Sequence, residues 1–220
     1  MNRKAFSLQE ILVVMAIIAV MTIILVTGGL SLRKQADIRV AENTVLTLST
    51  ALDLYYEKNG QYPFEALAYL PDSTDPGHIS FGREELAEEI MIYLGYDVAT
   101  TAYSVAVDET RNYQASIEAL YYFLQQDPAT RETLDSIPNR YVTAKSASDS
   151  TVLEELEIDA AEYIPLIRVV DPWGSPYRYI YEAGSGVAKI ESAGPDGEFG
   201  RNDAGVDADE DAKNFDNISN

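Results

Sequence analysis

The sequence predicts an α+β protein. One long N-terminal helix, half in a membrane and half in a head, packs on a small antiparallel sheet, with a mainly helical insertion before the sheet and an acidic loop after it. Three observations predict this. Twenty uncharged residues, Ile11 to Leu30, follow a short basic tip. Ala41, Val45, Leu48, Leu52 and Tyr55 then recur at spacings of four, three, four and three, one apolar stripe on a 3.6-residue period. Beyond Pro165 the pattern shortens to alternation, set among Gly, Pro and Asp turn residues.

The first element follows from bilayer dimensions. Ile11 to Leu30 at about 1.5 Å per residue reaches about 30 Å, enough to cross the hydrocarbon core. Arg3 and Lys4 ahead of it place the N-terminus in the cytoplasm and the rest of the chain outside. An ordinary secretory signal has an apolar region of about 7–15 residues before its cleavage site. This run is longer, carries a carboxylate, Glu10, at its front, and continues into a helical pattern without a turn. A carboxylate costs roughly 2.5–3.5 kcal/mol near the centre of a spanning helix, so Glu10 implies a partner charge. Gly28-Gly29 is the helix's weak point, each glycine costing about 1 kcal/mol relative to alanine; two helices broken there are the alternative. Asn59-Gly60 and Pro63 supply the stop.

Composition narrows the function. The 220 residues hold 36 Asp and Glu against 16 Lys and Arg, a net charge of −20. Such a surface repels nucleic acid and anionic headgroups and draws divalent cations. With no cysteine, disulfides, thiol catalysis and Cys-ligated zinc are excluded. The one histidine, His78, sits in Asp75-Pro-Gly-His78 without a catalytic motif, and no P-loop occurs.

Arg83 to Leu94 reads as a helix. Tyr113, Ile117, Leu120, Tyr121 and Leu124 form the apolar face of another, ended by Asp127-Pro128. Thr143 to Thr151 is small and polar, a loop. Pro165 to Val170 reads as a buried strand or its approach, and Asp171-Pro-Trp-Gly-Ser-Pro176 as turn chemistry around the only tryptophan. Tyr177, Tyr179 and Tyr181 alternate with Arg178 and Ile180 as a strand requires. Ala183-Gly-Ser-Gly186 then makes a hairpin turn, with Val187 to Ser192 as the return strand. The fifteen tyrosines read as core and sheet residues.

The acidic end is the candidate for chemistry. Asp196, Asp203, Asp207, Asp209, Asp211 and Asp216 stand among glycines, Asn202, Asn214 and Asn217. Calcium takes about six to eight hard oxygens at about 2.3–2.6 Å and tolerates flexible loops. An EF-hand starting at Asp207 is rejected: Ala212 takes the glycine position and Ile218 the position of the bidentate Glu. The alternative is a solvated tail.

Four segments together resemble one family. Phe6-Ser-Leu-Gln-Glu10, Ala51-Leu-Asp-Leu-Tyr-Tyr-Glu-Lys-Asn-Gly-Gln-Tyr-Pro63, Asp171-Pro-Trp-Gly-Ser-Pro-Tyr177 and Ser192-Ala-Gly-Pro-Asp-Gly197 resemble, in order, segments of the type IV pilin-like superfamily. Within it, the resemblance is to the major pseudopilin (G subunit) of the type II secretion system. It implies a pilin-like fold and a non-catalytic subunit, cut by prepilin peptidase between Ala5 and Phe6 and N-methylated at Phe6. The Glu10 carboxylate would pair with the Phe6 amine of the next copy in a helical homo-oligomeric filament that drives protein export. Other pseudopilins and inner-membrane assembly proteins would be partners. The protein would be single-pass in the bacterial inner membrane, its head in the periplasm.

The resemblance also implies a calcium site using a carbonyl near Ala193, the Asp196 carboxylate and an acidic pair further on. That pair is Asn202-Asp203 by spacing or Asp216-Asn217 by its following Ile218, with Asp207 and Asp209 also candidates. The chain parses into a leader (1–5), a transmembrane half-helix (6–30), a head half-helix and stop (31–63), an insertion (64–164), a sheet (165–192) and the acidic loop (193–220). It departs from the family at Ala5, where glycine is usual, at Thr27, where a proline is usual, and in the length of Leu67 to Tyr163. A type IV pilus subunit for adhesion, motility or DNA uptake is the alternative, and an enzyme on a single-pass anchor the remote one.

Overall fold

The computed structural model describes residues 8–63, 71–72, 75–79, 83–103, 114–145, 151–159, 162–182, 186–197, 199 and 218–220. By compactness the chain forms two units, Met1–Arg39 and Val40–Asn220. Helix α1, Leu8–Asn59, is continuous across that boundary and across Gly28-Gly29. In the first unit the apolar side chains of Ile11–Ile23 that carry more than a methyl group, Leu12, Met15 and Ile18 among them, are exposed. Among the described residues no helix is long and apolar enough to cross a membrane. The side chains of 24–28, 30 and 31, part of the uncharged run, lie outside the description. Ala5, Phe6 and the side chain of Glu10 lie outside it too.

The second unit holds the core. On α1, Ala41, Val45, Leu48 and Leu52 are buried and Tyr55 is half-buried, as their spacing requires. Ala51 and Thr44 join the same face, Thr44 donating its hydroxyl to the Val40 carbonyl (2.9 Å) so that no polar group is stranded. Gly60 ends the helix at φ +73°, its N–H donating to the Tyr56 carbonyl (2.7 Å).

Two short strands follow, β1 (Pro71–Asp72) and β2 (Asp75–Ile79). Helices α2 (Arg83–Tyr93), α3 (Gln114–Gln126) and α4 (Pro128–Leu134) come next, then a 3-10 turn at Asn139–Tyr141. The remaining strands are β3 (Val142–Thr143), β4 (Glu155–Asp159), β5 (Glu162–Pro165), β6 (Arg168–Val169), β7 (Arg178–Glu182), β8 (Val187–Ser192) and β9 (Ile218–Ser219). All pairings are antiparallel: a sheet in the order β1-β2-β7-β8-β9, and the pairs β3-β6 and β4-β5.

Within the described part of 64–164 helices outweigh strands, as expected, but β1 to β5 also start there. In β4 the buried Leu156 and Ile158 alternate with Glu155 and Glu157, a period of two that the density of acidic residues hides. The expected loop Thr143–Thr151 begins inside β3 and bridges at Lys145 to Leu153; 146–150 lie outside the described residues.

Helix α3 sits at the centre, packed on α2, α4, β6 and β7. Ile117, Leu120, Tyr121 and Leu124 are all buried; Tyr113 lies outside the described residues. Asp127 ends α3 and starts α4, its side chain accepting from the Ala129 N–H (2.9 Å) with Pro128 in the first turn. Arg131 then donates to the Gln125 carbonyl (2.6 and 2.9 Å), capping the end of α3. Tyrosines of β7 and of its approach tie the sheet to α1 and to the chain just beyond it. Tyr179 donates to the Pro63 carbonyl (3.2 Å), and the hydroxyl of Tyr177, at the mouth of the strand, lies 3.4 Å from the Ala41 carbonyl.

Candidate functional site

The acidic loop leaves the sheet at the end of β8 and returns to the same strand. Ser192 pairs with Ile218 and Glu191 with Ser219. Asn220 completes the return: its side-chain carbonyl accepts from the Ile190 N–H (2.7 Å), and its amide donates to Ser49 Oγ on α1 (2.9 Å). At the other end Phe199 lies under the Arg178 guanidinium, 4.5 Å from the ring centroid. Residues 200–217 are therefore bounded by two anchors on neighbouring strands. From Ala193 to Asn217 the sequence has eight Asp and Glu against two Arg and Lys.

The turn that opens the loop is held by Asp171, which is 1 % exposed. Its carboxylate accepts from the N–H groups of Trp173 (3.0 Å) and Ser175 (2.9 Å) and from the Ser192 hydroxyl (2.8 Å). The Ser192 oxygen in turn accepts from the Gly194 N–H (3.1 Å). Burial pushes the Asp171 carboxyl above its ordinary range, against the pull of those donors. Gly197 closes the turn at φ +74°, and a Cβ there would meet Ser175 Oγ at 3.2 Å. The Asp-Pro-Trp-Gly-Ser turn and the Gly-Pro-Asp-Gly turn thus interlock.

Of the sequence-predicted ligands, Ala193 is buried and Asp196 exposed on this one turn. Asp203, Asp207, Asp209, Asp216 and Asn217 lie outside the described residues. Among the described residues no three acidic, histidine or cysteine side chains stand together as a metal site. The donors present, a carbonyl and a carboxylate on a glycine-hinged turn, are of the hard-oxygen kind that calcium takes.

Sequence reasoning missed the anchors. Asn220 gives no local signal, because its partners are 30 and 171 residues away. Arg178 and Lys189 both pair with Glu191, Arg178 at 2.6 Å. Burial works to raise the Glu191 carboxyl, but these two cations outweigh it and hold the group low. A second ionic cluster lies under the β3-β6 pair. Arg168, 3 % exposed, reaches Glu118 (3.2 Å) and Glu154 (2.6 Å) and donates to the Lys145 carbonyl. One charge inside the apolar run Leu166 to Val170 was its only sequence trace.

The family model for type II secretion system (T2SS) protein G matches residues 99–211, half of the chain. That span runs from before α3 through the Asp171 turn into the acidic loop, so it takes in the last two thirds of the predicted insertion. No curated protein and no solved structure matches the chain.

Proposed function

The chain belongs to the type II secretion system protein G family, and from that membership we propose that it is a structural, non-catalytic subunit of a secretion pseudopilus. In this reading prepilin peptidase cuts between Ala5 and Phe6, and the mature chain stays in the bacterial inner membrane through Ile11–Leu30 with its head in the periplasm. Glu10 then pairs with the Phe6 amine of the next copy, each satisfying a charge that lipid cannot solvate. Contacts between unlike faces do not close on themselves and give a helical filament. The observation that carries the reading is the match over residues 99–211, which includes the interlocked turns at Asp171 and Gly194–Gly197.

Calcium is part of the proposal. The Ala193 carbonyl and the Asp196 carboxylate would hold it, with oxygens from the acidic segment beyond. Of the two pairs that the spacing leaves open, Asp216-Asn217 is favoured. That pair directly precedes Ile218, which pairs with Ser192, the neighbour of Ala193. Calcium would supply the charge that lets this loop stay folded against the sheet.

Two experiments test this. Glu10→Ala should leave the protein inserted and abolish filaments; filaments of ordinary length in that variant end the assembly reading. Calcium at a hundredfold excess over its Kd should raise the thermal midpoint by about 5–10 °C, with magnesium as the control. A midpoint indifferent to calcium removes the metal from the proposal.

A further inference from the structure

The acidic loop does not end on the sheet alone; its return reaches the filament-building helix. Asn220 is the point of contact. One face of its side chain accepts from Ile190 on β8 (2.7 Å), and the other donates to Ser49 on α1 (2.9 Å). The backbone N–H of Asn220 is also directed at the Ile190 carbonyl (3.4 Å), extending the β8-β9 ladder by one residue. Ser49 lies between Leu48 and Thr50 at the edge of the buried stripe and is itself half-exposed. Its neighbours with hydroxyls, Thr47 and Thr50, donate to helix carbonyls, Asn43 (2.9 Å) and Leu46 (2.7 Å). Ser49 Oγ instead serves as acceptor for a residue 171 positions away.

We propose that Ser49 and Asn220 are positioning residues that couple the return strand Ile218–Asn220 to helix α1, so that undocking of that strand is felt by the element that assembles. The proposal rests on the pseudopilin reading for what α1 does, but the coupling stands on the three contacts of Asn220. A two-residue strand is weak alone. Without Asn220, Ile218–Ser219 would hold β8 by two pairs only. With it, displacing the loop's return also breaks a contact on α1.

The test uses the full-length protein in detergent, with amide hydrogen exchange read at Ile190 in chelator and in calcium. Asn220→Ala removes the acceptor of that N–H and should speed its exchange. The informative variant is Ser49→Ala, which does not touch Ile190. Coupling predicts that it also speeds Ile190 exchange, by roughly the two- to tenfold worth of one net hydrogen bond, and that Ser49→Thr restores the slow rate. Thr50→Ala, one residue on, should leave Ile190 unchanged. If Ser49→Ala leaves Ile190 at the wild-type rate in both conditions, the coupling is overturned.

The calcium reading is separable in the same data. Loss of any calcium effect in wild type, with Ser49→Ala still speeding Ile190, refutes the metal and keeps the coupling. Where calcium does slow exchange, Ser49→Ala and Asn220→Ala should both weaken its apparent affinity by the same roughly two- to tenfold.

Discussion

Arg168 and Asp171 stand three residues apart, both buried, and the protein neutralises them in opposite ways. Arg168 is met by charge, two carboxylates from α3 and from the approach to β4. Asp171 is met by dipoles, two backbone N–H groups and one hydroxyl, with no cation bridging it among the described residues. The first arrangement binds separate parts of the head to one another. The second binds two turns and leaves its carboxyl raised by burial. Buried charge at Arg168 serves cohesion, and buried charge at Asp171 shapes the mouth of the acidic loop.

The largest effect should come from breaking the ionic member of the pair. Arg168→Met leaves Glu118 buried without its cation and should cost about 3–5 kcal/mol in urea denaturation. Adding Glu118→Leu should return part of that loss. A mild single mutant would mean that water reaches Glu118, and the contrast would fail. Asp171→Ala strands three donors and should cost about 1–3 kcal/mol.

The pH dependence sharpens the same contrast. Asp171, raised in the folded state, keeps its proton where the unfolded chain has lost it, so its contribution falls as pH rises through its folded pKa. Glu191, held low, contributes above the ordinary glutamate pKa and loses that contribution as pH falls through its lower folded value. Asp171→Asn should therefore steepen the loss of stability on acidification, because it removes a group that opposes it. A profile unchanged by Asp171→Asn would show that the carboxyl titrates as it does in water.

The smallest effect is expected at Lys58, an exposed lysine that pairs with Asp127 at 2.6 Å. Its hydrogen bond, followed by the Ala129 N–H, holds Asp127 below the usual carboxylate range. Lys58→Ala should shift the urea midpoint least of these variants, since the lysine is exposed and its charge screened by solvent.

The apolar stripe of α1, the α3 face and the alternating tyrosines were legible in sequence because each is a local period. Asp127-Pro128 and Gly60 were legible because their backbone chemistry is fixed by residue type. Contacts between distant residues were not legible. Nothing local says that Glu118 waits for Arg168, that Ser192 bonds Asp171, or that Asn220 reaches Ser49. The strand β4 was obscured for another reason, its acidic residues lying on the outward side of an alternating pattern. The candidate site was half legible: composition pointed to hard-oxygen ligands, while the pairing of Ile218 and Ser219 with β8 had no trace in the local sequence.

That pairing has a consequence for how the molecule can vary. The anchors on either side of 200–217 are residues of β7, β8 and α1, so a change of length between them leaves those contacts in place. Doubling a closed loop costs only about 0.6 kcal/mol. Descendants of this chain could lengthen, shorten or rewrite that span, and a tag could be spliced into it, while the sheet beneath keeps its register.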